Sequence, residues 1–177
     1  MSLRIKPAGI AAVKGRSLFF DANVLLYLFG STSSTWANTY SSVFSQCLNM
    51  GNDLCVDVTV LSEFINRFLR IEYENYLRTN GLNGQQIKFK DFRSQSEGVQ
   101  ASQDVEIIVK GRILNKFALV GKLFNTADIN AISLVNCDFN DELIIQTCKE
   151  HQCVLVTNDA DFSGADVDIL TANKKLI

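Results

Sequence analysis

The sequence predicts a three-layer α/β/α domain with a central, mainly parallel β-sheet. Three observations carry this. Short apolar runs at 17–21, 54–58 and 153–157 lack polar alternation, as strands covered on both faces do. Longer segments whose apolar residues recur at helical spacing stand between them. The first and third runs lead straight into acids, Asp21 and Asp159, which places both at strand carboxyl ends. That edge is where parallel α/β sheets hold their ligands.

Taken in order, 17–21 reads as a buried strand ending in Asp21. A helix follows over 35–50, where Trp36, Tyr40, Val43, Phe44, Cys47 and Leu48 share a face and Gly51 is the stop. After the strand at 54–58, a helix over 60–79 carries Leu61, Phe64, Ile65, Phe68, Leu69, Tyr73 and Tyr76, ending near Gly81. Residues 81–103 are polar, hold three glycines and show no period. Val105, Ile108, Val109, Arg112, Ile113 and Phe117 on one side predict a helix over 104–120, and another is expected over 126–136. Asp138 is placed to cap a helix over 138–150, with Glu142 in its first turn. The strand at 153–157 follows, and 167–170 is the last strand.

The 177 residues, 47% of them hydrophobic, suit one compact domain over 1–177, with a longer helical middle segment at about 70–125. One proline and no Gly/Ser tract leave no linker to propose. The apolar run at 8–13 is too short for a signal-peptide core or a membrane span, so no membrane is expected and the cytoplasm is the expected address. Five cysteines without C-x-x-C spacing read as reduced, mostly buried small hydrophobes. The single histidine, His151, falls at the end of the 138–150 helix, where a cation favours the dipole. It has no place in Ser-His-Asp or Cys-His chemistry, and no glycine-rich phosphate loop is present.

A formal net charge of −2 excludes a uniformly basic nucleic-acid binder. The distribution is uneven: residues 64–125 carry +4 and the remainder −6. Arg67, Arg70, Lys110, Arg112 and Lys116 in the basic part are candidates to meet phosphates, with ordinary solvated helix faces as the alternative.

Four acids stand out in the acidic part. Asp21 and Asp159 end strands, Glu63 falls in about the first turn of the 60–79 helix, and Asp141 falls in the first turn of the 138–150 helix. In a β-α-β arrangement all four share one rim. Each alone has a plain explanation as a turn former or a dipole partner. Together they repel one another unless a cation joins them. Hard carboxylate oxygens suit Mg²⁺ or Mn²⁺, one or two ions. Such ions activate a water and stabilise a phosphodiester's leaving oxygen.

The local wording resembles the PIN-domain family, including its VapC-like ribonucleases. Phe19-Phe20-Asp21-Ala22-Asn23-Val24-Leu25-Leu26 resembles the opening motif, and Val60-Leu61-Ser62-Glu63-Phe64 the second. Asp138-Phe139-Asn140-Asp141-Glu142-Leu143-Ile144 resembles the third, and Val154-Leu155-Val156-Thr157-Asn158-Asp159-Ala160-Asp161-Phe162 the fourth. The resemblance runs from 17 to about 170, although 70–125 is longer than in the small toxin-like members. It implies a ribonuclease using Mg²⁺ or Mn²⁺, with RNA as substrate. It also implies a toxin silenced by an antitoxin as one role, and allows a homodimer. Carried over by position, Asp21, Glu63, Asp141 and Asp159 are the catalytic metal ligands and Asp161 an auxiliary acid. Asn23 and Thr157 either orient ligands or only shape the strand-end turns. Asp138 reads as a cap rather than a ligand.

The alternative within the family is a catalytically inactive scaffold that binds nucleic acid or protein. The four acids disfavour it. A phosphoacceptor receiver domain needs an acid pair after the first strand and a late lysine, and a haloacid-dehalogenase site needs a second Asp where Asn23 stands.

Overall fold

A computed structural model describes residues 2–30, 34–135 and 137–177. The sheet among them has six strands: β1 (Arg4–Ile5), β2 (Leu18–Phe20), β3 (Leu54–Val56), β4 (Ala118–Leu119), β5 (Val154–Val156) and β6 (Ile169–Leu170). Their order is β1-β6-β5-β2-β3-β4, and every pairing is parallel. Helices α1 (Ala22–Phe29), α2 (Ala37–Asn49), α3 (Val58–Thr79), α4 (Phe89–Phe92), α5 (Ser96–Ile108), α6 (Thr126–Asn130) and α7 (Phe139–Glu150) complete the three-layer α/β/α arrangement. Among the described residues, no helix is long and apolar enough to cross a membrane.

The central pair is β2 and β5. All six of their residues are fully buried. Burying a large apolar side chain contributes roughly 1.5–3 kcal/mol, so this pair anchors the core. The chain moves outward from β2 to β3 and β4 on one side, and from β5 to β6 on the other. The strand order therefore reverses between β2 and β5, and a crevice opens beyond their carboxyl ends.

Several elements depart from the sequence reading. α1 follows β2 directly, although no helix is expected at 22–29. Ala22, Val24, Leu25 and Leu26 are all buried, so α1 has no wide polar face to reveal its period. α3 starts at Val58, where a strand end is expected, because the Asp57 side chain accepts from the Val60 N–H at 2.8 Å and caps the helix. Glu63 consequently stands in the second turn, not the first.

The helix predicted over 104–120 is displaced. α5 begins at Ser96 and passes into a π-turn at Val109–Ile113, where the Leu114 N–H reaches back to the Val109 carbonyl at 2.9 Å. Residues 118–119 form the edge strand β4 instead, held by pairing with β3. The patternless stretch 81–103 holds α4 and the start of α5. Phe92 is buried, with its ring 5.5 Å from Tyr73 and 5.3 Å from Tyr76 on α3. Gly98 is required there: a Cβ would stand 2.0 Å from the Phe92 carbonyl oxygen.

The helix expected over 126–136 is shortened to α6, whose start is fixed by a reciprocal Asn125–Asp128 capping box. Asn136, at its expected end, lies outside the described residues. α2 and α3 end as expected, with Gly51 (φ 70°) and Gly81 (φ 63°) in the left-handed conformation.

Candidate active site

Register puts the first acid in place. Phe20 pairs with Val156, and the Asp21 N–H donates to the Val156 carbonyl at 3.1 Å, so Asp21 comes out level with Thr157. Asp21 is buried. One carboxylate oxygen accepts from the Ala22 N–H at 2.6 Å, which caps α1. The other accepts from the Asn23 amide at 2.6 Å and from the Thr157 hydroxyl at 2.7 Å. Asn23 in turn accepts the Asn158 N–H at 3.2 Å, and the Thr157 hydroxyl accepts the Asp159 N–H at 3.0 Å. The ends of β2 and β5 are thus laced through one buried polar network. All its donors to Asp21 are neutral.

The remaining acids arrive on helix starts and turns. Asp138 caps α7 as the sequence predicts, accepting the Asp141 N–H at 2.9 Å, and this sets Asp141 in the first turn. Asp159 accepts the Asp161 N–H at 3.1 Å and caps a 3-10 turn over Ala160–Gly164. Asp161 is exposed on that turn. Glu63 points from α3 and pairs with Arg67 one turn on, at 3.1 Å.

These acids sense one another. Burial pushes the Asp21 carboxyl up to about 7; the Thr157 hydrogen bond opposes this, while the charges of Glu63 and Asp159 add to it. Asp141 is also pushed up to about 7, first by burial, then by the charges of Asp138, Asp21, Asp159 and Glu63. The four predicted acids therefore share one electrostatic neighbourhood, and the capping Asp138 belongs to it.

The PIN domain family matches residues 18–168. The chain belongs to the PIN-domain family. A solved structure of VapBC2 from Rickettsia felis, bound to a DNA fragment from their promoter, includes a chain of similar fold. That chain is 12% identical, the match covers 88% of the present chain and 98% of that one, and the TM-score is 0.52. At this identity the likeness is one of fold. No curated protein sequence matches the chain.

The acid edge of this PIN domain fits a hydrated divalent cation. Among the described residues, no three His, Cys, Asp or Glu side chains form a ready-made cage. The donors are nonetheless hard oxygens of like charge, of which Glu63 meets a cation in Arg67 while Asp21 meets only neutral donors. Mg²⁺ keeps several waters and takes only one or two carboxylates, so an open rim of acids suits it better than a closed cage.

The basic candidates of the PIN domain do not converge in the same way. Only Arg67 touches one of the four acids, through Glu63. The Arg70 guanidinium lies 4.4 Å from the centre of the Phe89 ring, and Lys110 pairs with Glu106. Arg112 lines a groove with Phe29, Phe68 and Asp104, and Lys116 is exposed. His151 caps the far end of α7, its Nε2 2.8 Å from the Gly121 carbonyl oxygen. All five cysteines are free, and burial with nearby carboxylates holds the Cys137 thiol at about 12.

Two contributors escape the sequence reading. Tyr40, fully buried on α2, donates its hydroxyl to the Thr157 carbonyl (2.9 Å) or the Asn158 side chain (3.0 Å) and accepts the Ala172 N–H (3.1 Å). It clamps the ends of β5 and β6 together beside the acids. In sequence it is one more residue of an apolar stripe, and nothing local marks its hydroxyl's target. Asp57 is a buried cap whose carboxyl burial raises. Its position just before a helix start was the available signal.

Proposed function

We propose that this PIN domain is a divalent-metal-dependent endoribonuclease. The observation that carries the reading is the shared field of Asp21, Glu63, Asp141 and Asp159 at the strand-order reversal, with Asp21 held entirely by neutral donors. Asp21, Glu63, Asp141 and Asp159 would hold Mg²⁺ or Mn²⁺. Such an ion supplies the charge that lowers the pKa of an attacking water and neutralises the leaving oxygen. The protein's own part is to keep the oxygens aimed. Thr157 and Asn23 hold one Asp21 oxygen, and the Asp159 N–H anchored on Thr157 sets the turn that presents Asp159. Asp161, exposed beside them, acts as an auxiliary acid. RNA as substrate follows from the family resemblance.

Incubation of single-stranded RNA with the protein and Mn²⁺ should give fragments, and EDTA should stop their formation. Fragments that persist unchanged under chelation would overturn the mechanism.

A toxin role with an antitoxin partner is supported by the fold shared with the VapBC2 complex. Co-expression with the product of the adjacent reading frame should then silence the cleavage. Undiminished cleavage in a stable complex, or no complex, would remove this role.

A further inference from the structure

Beside the acids lies an open groove of about 440 Å³, lined by Val58, Thr59, Ser62, Glu63 and Asn66 of α3 and by Asn140 of α7. Its size falls within the roughly 300–1,000 Å³ of small-ligand sites. Thr59 lies three and four residues before Ser62 and Glu63, and these lie four and three residues before Asn66, which sets all four on one face of α3. Asn140 faces them from the start of α7, one residue before Asp141. Glu63 belongs to both groove and acid rim, so the groove is a direct extension of the site.

Its chemistry differs from both the acid rim and the basic helices. The groove has no cation among its lining residues, and its one acid, Glu63, is engaged with Arg67. Among the described residues, the side chains of Thr59, Ser62, Asn66 and Asn140 have no hydrogen-bond partner within the protein. Ser62, Asn66 and Asn140 are exposed. An Asn amide offers two donors and an acceptor, and a Ser hydroxyl offers one donor and acceptor lone pairs. Such neutral groups match base edges and the ribose 2′-hydroxyl, the features by which single-stranded RNA is read. Without a cation they are poor partners for a phosphate. Val58, 67% exposed, adds an apolar contact at the groove's edge.

We infer that this groove holds the base and ribose of the nucleotide next to the scissile phosphate, with Ser62, Asn66 and Asn140 as its reading residues. The inference rests on the ribonuclease reading for its substrate class. It predicts a division of labour: the acid rim acts on the phosphate, and the α3–α7 groove selects the nucleotide.

The test is binding of a fluorescently labelled single-stranded RNA oligomer, read by anisotropy in Ca²⁺. Wild type is compared with Ser62→Ala, Asn66→Ala, Asn140→Ala and the Asn66→Ala/Asn140→Ala pair. Loss of one neutral hydrogen bond should raise Kd about three- to tenfold per single variant, and further for the pair. The slope of log Kd against log salt should stay at the wild-type value, because every cation that meets a phosphate is still in place. Melting temperatures should stay close to wild type, as these side chains are exposed and bond nothing else. In Mn²⁺, KM should rise in step with Kd while kcat holds within about twofold.

Wild-type Kd in all four variants would overturn the groove assignment, and so would a wild type that does not bind RNA. A reduced salt slope would mean that the groove touches phosphate and would overturn the nucleotide reading. Weakened binding in the variants, with a wild type that binds but never cleaves, would keep the groove and sink the ribonuclease reading.

Discussion

The strand-end network around Asp21 and the basic helices of the middle segment handle charge in opposite ways. Asp21 is taken out of water and steadied by a backbone N–H and an amide from the start of α1 and a hydroxyl from the residue after β5. Arg67 of α3 and Lys110 of the π-turn after α5 stay at the surface and pair with acids one turn back, Glu63 and Glu106. Exposed pairs of that kind are screened by solvent and contribute little to stability. A buried acceptor that loses its donor costs about 1–3 kcal/mol. Acidic groups thus stand where the fold opposes ionisation, and the basic surface is added with little effect on the fold. Substitutions in the two regions should differ in size and in kind.

The largest effect is expected at the network's centre. Asp21→Asn or Asp159→Asn should lower RNA cleavage by about 100-fold or more with folding preserved, because the amide keeps the shape and loses the ligand charge. Rates on purified, folded protein decide this, and a wild-type rate in either variant would remove that residue from the site.

Next in size is the coupling of pH, metal and stability. Asp21 and Asp141 have folded-state pKa values raised from 3.8 to about 7, so the folded protein binds more protons than the unfolded chain between those values. The contribution is present below about 3.8 and is lost as pH rises through about 7, a loss on the order of a few kcal/mol for buried Asp21. The metal-free protein should therefore melt lower at pH 8 than at pH 5, and Mn²⁺ should restore stability at pH 8 by mass action. Asp141→Asn relieves like-charge repulsion, so its metal-free melting temperature at pH 8 should equal or exceed wild type while its Mn²⁺ shift shrinks. Melting curves at both pH values, with and without Mn²⁺, test this; a full metal shift in the variant would show that Asp141 is no ligand.

Thr157→Val tests the lacing of the two strands. It removes a donor to Asp21 and the acceptor of the Asp159 N–H, both within the network. Denaturant melts should show a loss of about 1–3 kcal/mol. A loss under about 0.5 kcal/mol, as at an ordinary surface site, would erase the contrast between the two regions.

The smallest effect is expected in the basic segment. Arg112→Gln with Lys116→Gln should leave stability within about 0.5 kcal/mol. RNA binding should weaken modestly, with a salt slope shallower by about 0.7 for each phosphate that is no longer neutralised. An unchanged slope would return these cations to ordinary solvated surface.

The acids themselves were legible in the sequence. Asp21 and Asp159 follow apolar runs, and Asp138 precedes a helix with Asp141 in its first turn, all features of short windows. Glu63 was legible as a residue but misplaced by a turn, because the Asp57 cap lies inside what reads as a strand. The groove beside Glu63 was not legible. Ser62, Asn66 and Asn140 look like ordinary solvated polar residues, and only the packing of α3 beside α7 makes them face one space.

By itself the sequence determined the layer architecture, the buried strands β2, β3, β5 and β6, helices α2, α3 and α7, and the family, because period, caps and motifs are written in neighbouring residues. Tertiary structure alone decided the rest. It joined Thr157 to Asp21 across 136 positions, placed the Tyr40 hydroxyl on Ala172, and made strands of Arg4–Ile5 and Ala118–Leu119. A two-residue strand has no period to read, and a buried hydroxyl's partner is set by sheet register. Both depend on backbone hydrogen bonds between segments that meet only when the chain is folded.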